Sequence, residues 1–91
     1  MQCFIIERRI PDAKNLTHEQ LVEIARTSNA AVESLGVPYT WCVSYVTDEA
    51  IFCVHEAEDA ETIREHARRG GFPADRVMPV LAEFGPHTAM G

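Results

Sequence analysis

The chain has 91 residues and a formal net charge of −6, a length that suits one compact domain whose modest core would gain from a partner subunit. The acidic balance, with Lys and Arg scattered rather than striped, argues against a nucleic-acid footprint and against a polybasic membrane anchor. Three cysteines cannot all pair within the chain and no CxxC spacing occurs, so Cys3, Cys42 and Cys53 read as free thiols of a cytoplasmic protein whose partner is a small molecule, a metal cation or another subunit.

The first apolar run is broken by Glu7, too early for a signal segment or a membrane span. Residues Cys3 to Arg8 instead suit a central strand buried on both faces, with Arg8 and Arg9 returning to water. Thr17 and Gln20 form a capping-box pattern ahead of an apolar stripe through Leu21, Ile24, Ala25, Ser28, Ala31, Val32 and Leu35. Gly36 ends that helix and Pro38 prevents its resumption.

From Tyr39 to Glu56 two apolar runs flank Thr47, Asp48 and Glu49, the pattern of a β-hairpin. Symmetric pairing about Asp48 and Glu49 sets Val46 opposite Ile51, Ser44 opposite Cys53 and Cys42 opposite His55 on one side. Trp41, Val43, Tyr45, Phe52, Val54 and Glu56 then share the other side. Asp59 caps a second helix through Ile63 and Ala67 to Gly70 and Gly71. Val77 to Phe84 reads as a last strand, with Pro79 at an edge or bulge, and residues 85–91 as a loose tail.

Strand, helix, strand, strand, helix, strand is the split βαβ order of a ferredoxin-like α+β domain spanning residues 1–91. Right-handed crossovers put both helices on one face of a four-stranded antiparallel sheet, with the first and third strands central. The opposite face is left bare, and an apolar patch of that size marks a homodimer interface or a ligand site.

The candidate site residues fall on the hairpin and the second helix. Cys53 and His55 lie on one side of a strand about 7 Å apart, within reach of one metal ion. Cys42 opposite His55 would make a soft and borderline donor set suited to zinc, copper or nickel. The blander reading makes both cysteines small buried hydrophobes and His55 a satisfied core histidine. Glu7 and Glu56 end strands, either as a general base in a cavity, as oxygen ligands, or in ion pairs with Arg8 or Arg64. His66 sits at the edge of the second helix's buried stripe, as a metal ligand or bonded to a backbone carbonyl. His18 and His87 look solvated. Trp41, Tyr45 and Phe52 suit a pocket wall or an interface. No phosphate loop, nucleophile elbow, HExxH or aspartate cluster is present.

Three stretches, FIIERRIP at 4–11, WCVSYVTDEAIFCVHEAED at 41–59 and IREHARRGGFPADRV at 63–77, together resemble a family of small bacterial proteins once of unknown function. Its type is a nickel-binding protein with a dimeric ferredoxin-like fold. The resemblance implies a cytoplasmic homodimer and a role in nickel sequestration. It gives Cys3 and Cys42 no part in metal binding. Two readings follow. One is a non-enzymatic binder of nickel or another divalent metal through Cys53, His55, Glu56 and His66. The other is a dimeric α/β-barrel small-molecule binder or cofactor-free monooxygenase or cyclase, with Glu7 or Glu56 as acid or base and a pocket at the open sheet face.

Overall fold

A computed structural model describes residues 1–91, and its first strand, β1 (Gln2–Arg9), already marks which side of the sheet is covered. Phe4, Ile6 and Arg8 are buried, whereas Cys3, Ile5 and Glu7 are only half-buried. The strand is therefore covered on one face rather than two. Arg8 does not return to water as its charge suggested. The two-residue strand period carries it inward with Phe4 and Ile6, and only Arg9 is exposed.

Helix α1 (His18–Leu35) begins where its capping box requires. Gln20 N donates to Thr17 Oγ1 at 3.2 Å, and Thr17 N donates to Gln20 Oε1 at 2.8 Å. Gly36 follows the helix with φ 67°, the left-handed turn that glycine adopts without steric cost. Strands β2 (Tyr39–Val46) and β3 (Ala50–Ala57) form the hairpin, closed by Thr47 N donating to Ala50 O at 2.9 Å.

Helix α2 (Ala60–Gly70) is capped by Asp59, whose Oδ1 accepts from Thr62 N at 2.8 Å. Its C-terminal turn folds back: Phe72 N donates to Ala67 O at 2.9 Å, which swings the Phe72 ring beneath the helix. Strand β4 (Arg76–Pro79) is shorter than the expected run to Phe84. Pro79 has no N–H for the ladder, and beyond it Val80 N makes one further bond to Cys3 O. The tail forms a short 3-10 turn over Pro86–Met90 with no buried residue.

The sheet order is β2-β3-β1-β4, with every pairing antiparallel. That is the ferredoxin-like arrangement, and β1 and β3 are its central strands. The core of Phe4, Ile6, Ile51, Cys53, Ala57 and Ile63 lies between the sheet and the helices. Within the helical layer α1 packs mainly on α2 and stands away from the strands. No helix is long and apolar enough to cross a membrane.

Candidate functional site

One irregularity in β2 decides which side chains meet. Val46 pairs with Ile51 and Ser44 with Cys53, as symmetric pairing about the turn requires, but the register then shifts between Trp41 and Val43. Cys42 is the extra residue of a β-bulge, so His55 is paired with Trp41 rather than with Cys42. Trp41 and Tyr39 thereby move to the helix-covered side. Cys42 is turned out and exposed.

On the helix-covered side, β3 presents Cys53 and His55, and α2 presents His66. Both histidines are essentially fully buried. The Tyr39 hydroxyl and His55 Nδ1 are hydrogen-bonded at 2.5 Å, and the two imidazole centroids are 5.1 Å apart, edge to face. His66 Nε2 donates to the Ser28 carbonyl of α1 at 3.3 Å, while its Nδ1 is buried with no partner. Burial first, then the cost of placing a second charge beside His66 were that ring protonated, and the Arg8 guanidinium push the His55 pKa down to about 3. Burial and Arg8 also lower that of His66. Both rings are therefore neutral at physiological pH.

Arg8 stands among these groups. Its Nε donates to Cys53 Sγ at 3.4 Å and its Nη1 to Pro73 O at 2.7 Å. A second donor reaches the same sulfur, because Trp41 Nε1 donates to Ser44 Oγ at 2.9 Å and Ser44 Oγ donates to Cys53 Sγ at 3.0 Å. Since α1 stands off from the sheet, a cavity of about 290 Å³ remains between them, lined in part by Arg8, Ser28, Trp41, Ser44, Cys53 and His55.

The opposite face carries different chemistry. Cys3 pairs with Glu56 across β1 and β3, and Glu56 pairs with Thr40 of β2 beside the bulged Cys42. Burial and then the Glu56 carboxylate raise the pKa of both Cys3 and Cys42, and Cys3 adds to the shift on Cys42. Two thiols and a carboxylate are thus neighbours on the uncovered face. Glu7, on the same face, lies 3.5 Å from Arg9 and 4.0 Å from Arg76, so its partners are these rather than Arg8 or Arg64.

Of the residues expected to act together, Cys53, His55 and His66 share the helix-covered side and Glu56 is separated from them by the sheet. No group of three or more His, Cys, Asp or Glu side chains in the single chain is arranged to hold a metal ion. Tyr45 and Phe52 pair on the uncovered face, whereas Trp41 is a cavity wall. Sequence reasoning overlooked Arg8 and Tyr39. The parity of Arg8 with Phe4 and Ile6 was available as a signal; the bulge that turns Tyr39 inward has no Gly or Pro to announce it.

Among curated proteins none matches the chain. Among solved structures the chain is similar to SCO4226 from Streptomyces coelicolor A3(2), known from a crystal structure. The TM-score is 0.76 at 19% identity, over 90% of this chain and 99% of that one. At that identity the likeness is one of fold, and it agrees with the ferredoxin-like topology. The model of the family described as "Nickel responsive protein SCO4226-like" matches residues 4–80, from β1 through the end of β4, and the chain belongs to that family.

Proposed function

We propose that this is a small, non-enzymatic, cytoplasmic protein that binds nickel(II) through donors on the uncovered sheet face, in a homodimer packed through that face. The observation that carries the reading is membership of the nickel-responsive family. Cys3, Cys42 and Glu56, neighbours on the uncovered face though not arranged in one chain to hold a metal, are the donors a second copy would complete. This departs from the family resemblance, which gave both thiols no part. Burial first and the Glu56 carboxylate second raise the pKa of each thiol, and a divalent cation placed among them would favour the thiolates and offset the carboxylate's charge. Thiolates are soft donors acceptable to nickel, and the carboxylate adds a harder oxygen donor beside them. One chain supplies an incomplete set, and a second copy facing it would supply more ligands.

The buried set of Cys53, His55 and His66 fits a dication poorly. Arg8 already places an uncompensated positive charge there, and a further two charges in that low-dielectric space would be strongly repelled. The acid–base reading of Glu7 or Glu56 would need a different pocket, one closed by a second copy over the uncovered face. The cavity lies on the opposite side of the sheet from both and has no carboxylate in its wall.

Calorimetric titration of tag-free protein with nickel, copper and zinc tests the proposal. Nickel affinity is expected to drop at least tenfold in Cys3→Ser, Cys42→Ser and Glu56→Gln and to be unchanged in His66→Gln. Binding no tighter than millimolar in the wild type, or loss confined to His66→Gln, overturns it.

A further inference from the structure

Arg8 is 4% exposed and makes no salt bridge, whereas Arg9, Arg26, Arg68, Arg69 and Arg76 all do. Its Nε and Nη1 are engaged by Cys53 Sγ and Pro73 O, while Nη2 has no hydrogen-bond partner. A guanidinium taken out of water without an anion is costly, because it stays charged at any physiological pH and cannot escape by deprotonation. The Phe72 ring, 5.3 Å away, supplies a partner for the cation but no charge.

Arg8 also lines the cavity between α1 and the strands, and none of the 13 residues of that wall is acidic. Nine of them are hydrophobic, among them Leu21 and Ile24 from α1 and Val46 and Ile51 from the hairpin. A cavity of about 290 Å³ is close to the lower end, about 300 Å³, of the range for small-molecule sites. Val46, 42% exposed, stands at its rim.

An apolar space holding one buried cation that lacks its counter-charge is complementary to an amphipathic anion. We infer that this cavity binds a small organic monocarboxylate, an aryl or medium-chain acid, with the carboxylate on Arg8 Nη2 and the hydrocarbon between Leu21, Ile24, Val46 and Ile51. The planar guanidinium suits a carboxylate, and the wall displaces water from the hydrocarbon. The site is on the other side of the sheet from the metal donors and is independent of them.

The test is titration of the full chain with sodium octanoate and, separately, with 1-octanol of the same chain length, in the presence of a chelator. Binding is followed by Trp41 fluorescence and by amide shifts. Octanoate is expected to bind at least tenfold more tightly than octanol, with the largest shifts in α1 and the hairpin. Arg8→Met is expected to abolish that preference. Ala25→Leu, which fills the cavity from α1 with Arg8 intact, is expected to block both ligands and decides the matter should Arg8→Met not fold. No octanoate binding up to about 10 mM, equal affinity for acid and alcohol, or binding that survives Ala25→Leu overturns the inference. Because the chelator removes nickel, failure here leaves the metal reading untouched, and failure of nickel binding leaves this one untouched.

Discussion

The guanidinium carbon of Arg8 lies 5.3 Å from the centroid of the Phe72 ring, and both side chains stand in the wall of the same cavity. A desolvated contact of this kind contributes about 2 kcal/mol, yet the cation it holds has no anion nearby. The desolvation of an unpaired buried charge is of several kcal/mol, comparable to what its hydrogen bonds return. Arg8→Met, of similar length and without charge, is therefore expected to unfold within about 1 kcal/mol of the wild type or above it. Urea denaturation at neutral pH checks this; a loss beyond about 3 kcal/mol would show that the cation serves the fold.

Gly70 closes α2 under the same ring. A Cβ at that position would lie 2.6 Å from Phe72 Cδ2, so Gly70→Ala must displace a ring wedged between Arg8 and His66. Helix propensity favours Ala by about 1 kcal/mol, but overpacking costs about 1–3 kcal/mol. The expected result is a net loss that largely disappears in a Phe72→Leu background. Gly71→Ala meets nothing within 4 Å, and its strain comes from φ +72°. Its loss, about 1–2 kcal/mol, should persist in the Phe72→Leu background. Chemical denaturation of the two glycine variants, of Phe72→Leu and of the two double variants separates the two causes.

Stability should fall with acid. The folded-state pKa of His55 is pushed down to about 3, while an unfolded histidine titrates near about 6.5. Between those values the unfolded chain takes up a proton that the native ring refuses, so the contribution is complete above the upper value and is lost as pH falls. The slope approaches about 1.4 kcal/mol per pH unit for one such group. Denaturation midpoints that stay level from pH 7 to about pH 4 would contradict the burial of a neutral imidazole.

On the uncovered face the prediction runs through the thiols. Burial and Glu56 raise the pKa of Cys3 and Cys42, and nickel requires thiolates. Nickel affinity should therefore strengthen as pH rises from about 7 to 9, with proton release visible as a buffer-dependent heat. Glu56→Gln removes one raising charge from both thiols and should speed their alkylation at mildly alkaline pH. Unchanged alkylation would mean that the carboxylate does not face them.

Tyr45 is 59% exposed and Val43 38% exposed on the bare face, a cost that a second copy would remove. Sedimentation is expected to find a wild-type dimer that Tyr45→Glu converts to monomer. A wild-type monomer at concentrations well above micromolar would remove this interface from the proposed metal site.

The fold was legible because its determinants are local. The Thr17 box, the Asp59 cap, Gly36, Gly71 and the polar turn between Val46 and Ala50 each stop or start an element through bonds within a few residues. The alternation order then left one sheet topology with right-handed crossovers. The position of Arg8 was also readable in principle, since strand parity outweighs charge when a buried acceptor and an aromatic face wait for the side chain.

The sites were decided by tertiary structure. A single extra residue at Cys42 exchanges the inward and outward sets of β2, which sends Trp41 and Tyr39 to His55 and sends the thiol toward Cys3 and Glu56. A bulge carries no compositional mark here, because the residues around it have similar strand preferences in either register. The stand-off of α1 from the sheet is likewise set by how α1 seats on α2, a packing outcome that no periodicity within one helix encodes. By itself the sequence determined an acidic ferredoxin-like domain with three free thiols. Only the packed chain decided which thiols meet a carboxylate and that one meets an unpaired cation, because those meetings depend on register and layer spacing between distant segments.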